Sequence, residues 1–155
     1  MEKTGLFRIK NNIYGKRFKF KMIKTLIIAE AGINHNGDIK KAIKLVDAAK
    51  DCGADIVKFQ TYSSIETSQI NAPKAKYQLI QGNKKNESMY KMLKRYELTL
   101  EEFKHLYYYC KKRKIEFMSS CFDLNSVQLL KKIKVKRYKI PSGEINNVPL
   151  LELIS

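Results

Sequence analysis

Four short stretches carry side chains that could grip a small anion and move protons. Glu30 closes the apolar run Leu26-Ile27-Ile28-Ala29, and Asn34-His35-Asn36 follow before Gly37. Lys58 sits inside the run Ile56-Val57-Lys58-Phe59, with Gln60 just beyond it. Ser119 and Ser120 close a third run, and Lys139 precedes Pro141-Ser142-Gly143-Glu144 in a fourth. A lysine inside an apolar run is costly unless an anion meets it. The plain structural reading has each lysine reach solvent or pair with Glu30 or Glu144. Two lysines with two carboxylates and two serines at matching places favour a phosphate- or carboxylate-binding site instead. An ammonium is a point-charge anchor for phosphate, and hydroxyls donate to its oxygens.

The remaining candidates are weaker. His35 reads as a loop histidine with satisfied partners, the alternatives being a metal ligand or an acid-base group. His105, set among Phe103, Leu106 and Tyr107, reads as structural. Cys52 and Cys110 read as helix-face packing residues. Cys121 stands at a strand end without an evident basic partner.

The elements that must position these residues follow from periodicity. Residues 6–20 alternate around Asn11-Asn12 and Gly15, which predicts a β-hairpin, a candidate lid over one end of a barrel. Strand one is expected over 25–30, buried because the run is short and β-branched. A helix is expected over 38–51 with Ile39, Ala42, Ile43, Val46 and Ala49 on one face, ended by Gly53. Strand two spans 55–60. Residues 61–86 are polar and irregular, a length of connection that is often functional. A short helix is expected over 87–95. Thr99-x-x-Glu102 matches a capping box opening a helix to Arg113. Strand three spans 115–121, a helix carrying Val127, Leu130 and Ile133 follows, strand four spans 137–141, and Pro149 starts a last helix.

Strand–helix alternation implies parallel strands joined by right-handed crossovers. No GxGxxG or GxxxxGK[ST] loop follows strand one, which argues against a doubly wound nucleotide-binding sheet. Polar residues at every strand end fit a (β/α)8 barrel, which needs eight βα units. Four are present, so the expectation is an α/β fold: a β-hairpin over residues 1–24, then the N-terminal half of a TIM barrel over 25–155.

The 155 residues suit one domain, and 44% hydrophobic content supports a core. No apolar run approaches a membrane span and no signal-peptide core is evident. Three widely spaced cysteines suggest neither a disulfide framework nor a zinc site, and reduced thiols point to the cytoplasm. The net charge of +16 reads as a solvated lysine-rich surface, because no nucleic-acid-binding signature interleaves with it. Neither a nucleic-acid nor a membrane partner is expected. The alternative function class is a non-catalytic basic module for nucleic acid or acidic glycan.

IIAEAGINHNGD, GADIVKFQT, the Phe-x-Ser-Ser-x-Phe-Asp strand end and YKIPSGEINNVPLL together resemble the sialic acid synthase family. That family includes N-acetylneuraminate, legionaminate and pseudaminate synthases and spore-coat polysaccharide proteins. The resemblance implies a TIM-barrel enzyme that condenses phosphoenolpyruvate with an N-acetylated amino sugar such as N-acetylmannosamine. The products are a nine-carbon 2-keto sugar acid and phosphate. It implies Lys58, Ser120, Lys139 and Ser142 on phosphoenolpyruvate, Glu30 and Gln60 on the sugar or the attacking water, Glu144 as acid-base or water-orienting group, and Phe122 as a wall. It further implies a divalent metal, manganese or magnesium, and a homodimer. The family's metal histidines and C-terminal antifreeze-like domain have no counterpart here, so no metal ligand is expected in this chain. A second polypeptide completing the barrel is a further expectation, and alone the chain is expected to be inactive. The family's Ser-Thr-Pro-Phe is Ser119-Ser120-Cys121-Phe122 here, which keeps the hydroxyl and loses the proline. A second enzyme reading, an eight-carbon keto-acid synthase, fits the Asn-His-Asn-Gly and Pro-Ser-Gly-Glu motifs less well.

Overall fold

The computed structural model describes residues 25–75 and 87–155. The hairpin expected over 1–24 lies outside the described residues, as does part of the 61–86 connection. Four strands, β1 (Ile28–Gly32), β2 (Ile56–Thr61), β3 (Glu116–Cys121) and β4 (Tyr138–Lys139), form one sheet in the order β1-β2-β3-β4. All three pairings are parallel. The helices are α1 (Ile39–Asp51), α2 (Ser64–Thr67), α3 (Met89–Tyr96), α4 (Leu100–Arg113), α5 (Leu124–Lys132) and α6 (Val148–Ile154), with a 3-10 turn at Ser142–Glu144. A doubly wound sheet reverses its strand order and takes helices on both faces. Strands added one after another through right-handed crossovers place every helix on one face, as in a barrel wall.

Local chemistry explains the helix boundaries. Asp38 accepts from the N–H groups of Lys40 and Lys41 at the start of α1. The expected capping box opens α4: Thr99 Oγ1 accepts from Glu102 N–H, and the Glu102 carboxylate accepts from Thr99 N–H at 2.8 Å. Asp123 accepts from Ser126 N–H at 2.7 Å and caps α5. After α1 the left-handed position is Gly53 (φ +81°), whereas after α4 and α5 it is filled by Lys114 (φ +54°) and Lys134 (φ +57°).

The core lies between the outer sheet face and the helices. Val57, Phe59, Phe117 and Cys121 of the strands pack with Ala42, Val46, Phe103, Leu106, Val127 and Leu130. Phe59 stacks on Phe117 at 5.8 Å between ring centres. Alternation then sends Glu30, Lys58, Gln60 and Ser120 to the inner face.

Three expectations need correction. Leu26, Ile27 and Ile28 are exposed at 49%, 55% and 44%: Leu26 and Ile27 precede β1, Ile28 shares the inner face with Glu30, and only Ala29 and Ala31 of the strand pack with the core. His105 is exposed, since Phe103 and Leu106 take the inward face of the helix and His105 lies about 100° around it from Leu106. Cys52 is exposed because α1 ends at Asp51, before Cys52 can share the packed face.

Candidate active site

The inner face carries a polar row built by register. Glu30 on β1 stands opposite Lys58 on β2, Gln60 opposite Ser120 on β3, and Ser120 opposite Lys139 on β4. The Lys58 ammonium pairs with the Glu30 carboxylate and donates to Ser120 Oγ at 3.3 Å. Its side chain is 14% exposed against 49% for Glu30, so the cation is sheltered and its partner faces the open side. The pairing reading of Lys58 is thus realised, with Glu30 as the partner. Lys139 differs. It is exposed, its ammonium donates to Ile140 O at 2.6 Å, and no carboxylate among the described residues pairs with it.

Gly32 supplies room in this row. The β1–β2 register shifts between Glu30 and Gly32, and Gly32 has φ +53°. A Cβ there would stand 3.2 Å from Glu30 Oε1 and 3.7 Å from Gln60 Nε2. A side chain at 32 would crowd both polar groups. Sequence reasoning passed over this residue, although a glycine two places after a strand-end carboxylate was its signal.

Ser119 does not join the row. It is buried on the helix side, its Oγ 2.7 Å from Thr61 Oγ1, and this hydroxyl pair ties the ends of β2 and β3 together. Phe122 is half-buried and donates its N–H to Thr61 O at 3.3 Å, which sets it just beyond the strand ends. Ser142 and Glu144 lie in the 3-10 turn after β4, Ser142 exposed and Glu144 partly buried. Glu144 accepts from Asn147 Nδ2 at 2.8 Å, which leaves its other oxygen open to a further partner. The structure therefore brings Glu30, Lys58, Gln60 and Ser120 into one cluster with Lys139 alongside. Ser142, Glu144 and Phe122 stand on the loops leaving the same strand ends.

His35 is buried at 1% exposure. Its Nδ1 accepts from Gly37 N–H at 3.0 Å and its ring tilts against Phe59. Burial lowers its pKa, opposed by the negative charges of Glu102 and Asp38. Its Nε2 has no partner among the described residues, so the satisfied-histidine expectation holds for one ring nitrogen only. Cys121 is buried, and its thiol is pushed up to about 11 by desolvation, which makes it a poor nucleophile. Among the described residues no three of His, Cys, Asp and Glu gather as a metal ligand set. His35 faces the core, so the described residues do not fit a divalent cation.

The chain matches the NeuB family over residues 45–155. It is 48% identical over 134 residues to the N,N'-diacetyllegionaminic acid synthase of Campylobacter jejuni subsp. jejuni serotype O:2, covering 86% of this chain and 40% of that one. It is 35% identical over 149 residues to the spore coat polysaccharide biosynthesis protein SpsE of Bacillus subtilis, covering 96% and 38%. Among solved structures, the N-acetylneuraminic acid (sialic acid) synthetase of Leptospira borgpetersenii serovar Hardjo-bovis, in complex with citrate, superposes with a TM-score of 0.65 at 31% identity, over 89% of this chain and 45% of that one. The chain thus spans less than half the length of these relatives.

Proposed function

The chain belongs to the NeuB family, and from that premise we propose that its inner sheet face is the phosphoenolpyruvate-binding part of a sialic-acid-type synthase. Its relatives include an N,N'-diacetyllegionaminic acid synthase, an N-acetylneuraminate-9-phosphate synthase and a pseudaminic acid synthase. The observation that carries the proposal is the contact row Glu30–Lys58–Ser120, a sheltered cation at strand ends that faces outward through a carboxylate. Lys58 and Lys139 neutralise the phosphate and carboxylate charges of phosphoenolpyruvate, and Ser120 and Ser142 donate to its oxygens. Phe122 walls the site.

In the whole protein, C3 of phosphoenolpyruvate attacks the aldehyde carbon of an N-acetylated amino sugar, whose oxygen takes a proton to become a hydroxyl; water adds at C2, and the bond from C2 to the phosphate's bridging oxygen breaks, so that phosphate leaves and C2 becomes the keto carbon. A nine-carbon 2-keto sugar acid results. Glu144, with one oxygen held by Asn147, orients the water or moves its proton. Glu30 and Gln60, flanking the space beside Gly32, receive the sugar or the attacking water. We place any divalent cation's ligands outside the described residues. Because phosphoenolpyruvate is a cytoplasmic metabolite, the reading also implies a cytoplasmic protein.

Calorimetric titration of phosphoenolpyruvate into the chain tests the reading, with Ser120→Ala and Lys139→Met as variants and inorganic phosphate as a comparison ligand. The proposal expects phosphoenolpyruvate to bind more tightly than phosphate and each variant to weaken it at least about tenfold, the loss of one charge-assisted contact. Equal affinity in all three proteins would overturn the assignment.

A further inference from the structure

The end of the sheet opposite the candidate site carries a different surface. Ile27 O accepts from the N–H groups of Asp55 and Ile56, and Glu116 N–H donates to Asp55 O, so the starts of β1, β2 and β3 lie in one row. Lys50 Nζ reaches Lys114 O at 2.9 Å, which sets the end of α1 beside the end of α4, and Tyr107 Oη, midway along α4, reaches Lys134 O at 3.2 Å just past α5. Arg113 pairs with Asp47 and Asp51, and Arg137 and Lys136 meet Glu116. Lys112, Lys114, Lys131, Lys132 and Lys134 are exposed, and among the described residues they pair with no carboxylate.

Cations in the last turn of a helix suit its dipole, and that accounts for some of these lysines. It does not account for Lys114 and Lys134. Both occupy left-handed backbone that costs an L-residue free energy and that glycine fills without strain, as Gly53 does after α1. Two of the three described turns of this kind thus display an ammonium where the backbone favours glycine. Beside them, Tyr108 is 65% exposed on α4, one turn from Lys111 and Lys112. Leu26 and Ile27, exposed at 49% and 55%, stand at the start of β1 at this same end.

We propose that this lysine-rich end is a docking surface for an anionic phospholipid leaflet. Charge complementarity selects a polyanion, and the exposed apolar and tyrosine side chains select a lipid interface over nucleic acid. A phosphodiester chain in water gains little from Leu26 and Ile27, whereas the headgroup boundary takes apolar side chains, tyrosine and lysine together. The surplus lysine that composition alone assigned to solubility, with no membrane partner expected, is thereby given a place and a role. Docking at the strand starts leaves the strand ends, where the candidate site lies, open to solution. This surface shares no residue with that site, so either reading can fail without the other.

Co-sedimentation of the whole chain with vesicles of phosphatidylglycerol and phosphatidylcholine tests the proposal, against vesicles of phosphatidylcholine alone. Binding is expected to the anionic vesicles only, and to fade at about 0.5 M salt, where the Debye length is about 4 Å. Lys114→Gly with Lys134→Gly relieves two left-handed residues, so the pair should melt no lower than the parent chain yet partition roughly 5- to 25-fold less, at about fivefold per lysine. Lys131→Gln with Lys132→Gln, on the exposed last turn of α5, should weaken binding by the same range and gives a second reading if the glycine pair folds poorly. Unchanged partitioning of these variants would overturn the proposal. So would binding to neutral vesicles, or release of the chain from anionic vesicles by stoichiometric single-stranded DNA.

Discussion

Lys58→Met separates a binding cation from a structural one. The Lys58 side chain is 14% exposed and its carboxylate partner 49%, so the Glu30–Lys58 pair is half open to water. Pairs of that kind contribute about 0–1 kcal/mol to folding. Methionine keeps the aliphatic length and packs beside Ile56 and Met118 on the inner face. The melting temperature should therefore shift by no more than about 2–4 °C in a chain of this size. Ligand affinity should respond far more. An ammonium about 4 Å from a phosphate oxygen, at an effective dielectric near 20, contributes about 4 kcal/mol before desolvation, and a net loss of about 2–4 kcal/mol weakens binding roughly 30- to 700-fold. Glu30→Gln should act the other way and tighten phosphoenolpyruvate, because it removes the carboxylate that competes for Lys58. Differential scanning fluorimetry and calorimetric titration of the three proteins check both numbers. If Lys58→Met lowers the melting temperature by roughly 6–20 °C, the cost of breaking a buried pair, and leaves ligand affinity unchanged, Lys58 is structural and the anion site is refuted.

Gly37→Ala puts a Cβ 2.2 Å from Arg95 O at φ +76°, so the loop after β1 must shift off α3, with an expected loss of about 2–4 kcal/mol by denaturant unfolding. Lys74→Met removes a 3%-exposed cation held 2.9 Å from the Glu87 carboxylate, which Arg95 also meets, and should cost about 3–5 kcal/mol in the same measurement. The buried His35 binds its proton more weakly folded than unfolded, so the unfolded chain takes up more protons below the ordinary value of 6.5. Its contribution to stability is complete above that value and is lost as pH falls, and His35→Asn should flatten the fall in melting temperature between about pH 7 and 5.5. Thiol labelling of the native protein should modify exposed Cys52 first, while Cys110 and Cys121, buried and pushed up to about 12 and 11, react only on unfolding.

Much of the architecture was legible because it depends on short-range physics. The capping box at Thr99 and Glu102, the apolar stripe Ala42, Val46 and Ala49, and the inward Val127, Leu130 and Ile133 are all set by residues within two turns of one another. The inner-face row was legible in part: Lys58, Gln60 and Ser120 alternate with Val57, Phe59 and Ser119, and period-two alternation assigns their faces. What failed was exposure. Leu26 to Ile28 have the composition of a buried strand, yet two of them precede β1 and Ile28 falls on its inner face beside Glu30. Cys52 and His105 were misplaced because a shift of one residue along a helix turns a side chain by about 100°.

Residue type and spacing therefore determined the parallel α/β order, the helix ends and the set of polar groups at the strand ends, since each rests on local propensity or periodicity. Only the tertiary structure decided how those groups meet. The register that sets Glu30 beside Lys58 and Ser120 beside Lys139, the bulge that opens space at Gly32, and the Thr61–Ser119 bridge all join residues 19 or more positions apart in the chain. The same holds for the gathering of Lys114 and Lys134 at one end. Local physics marks each as a helix-ending lysine, and strand pairing makes them neighbours of a single face.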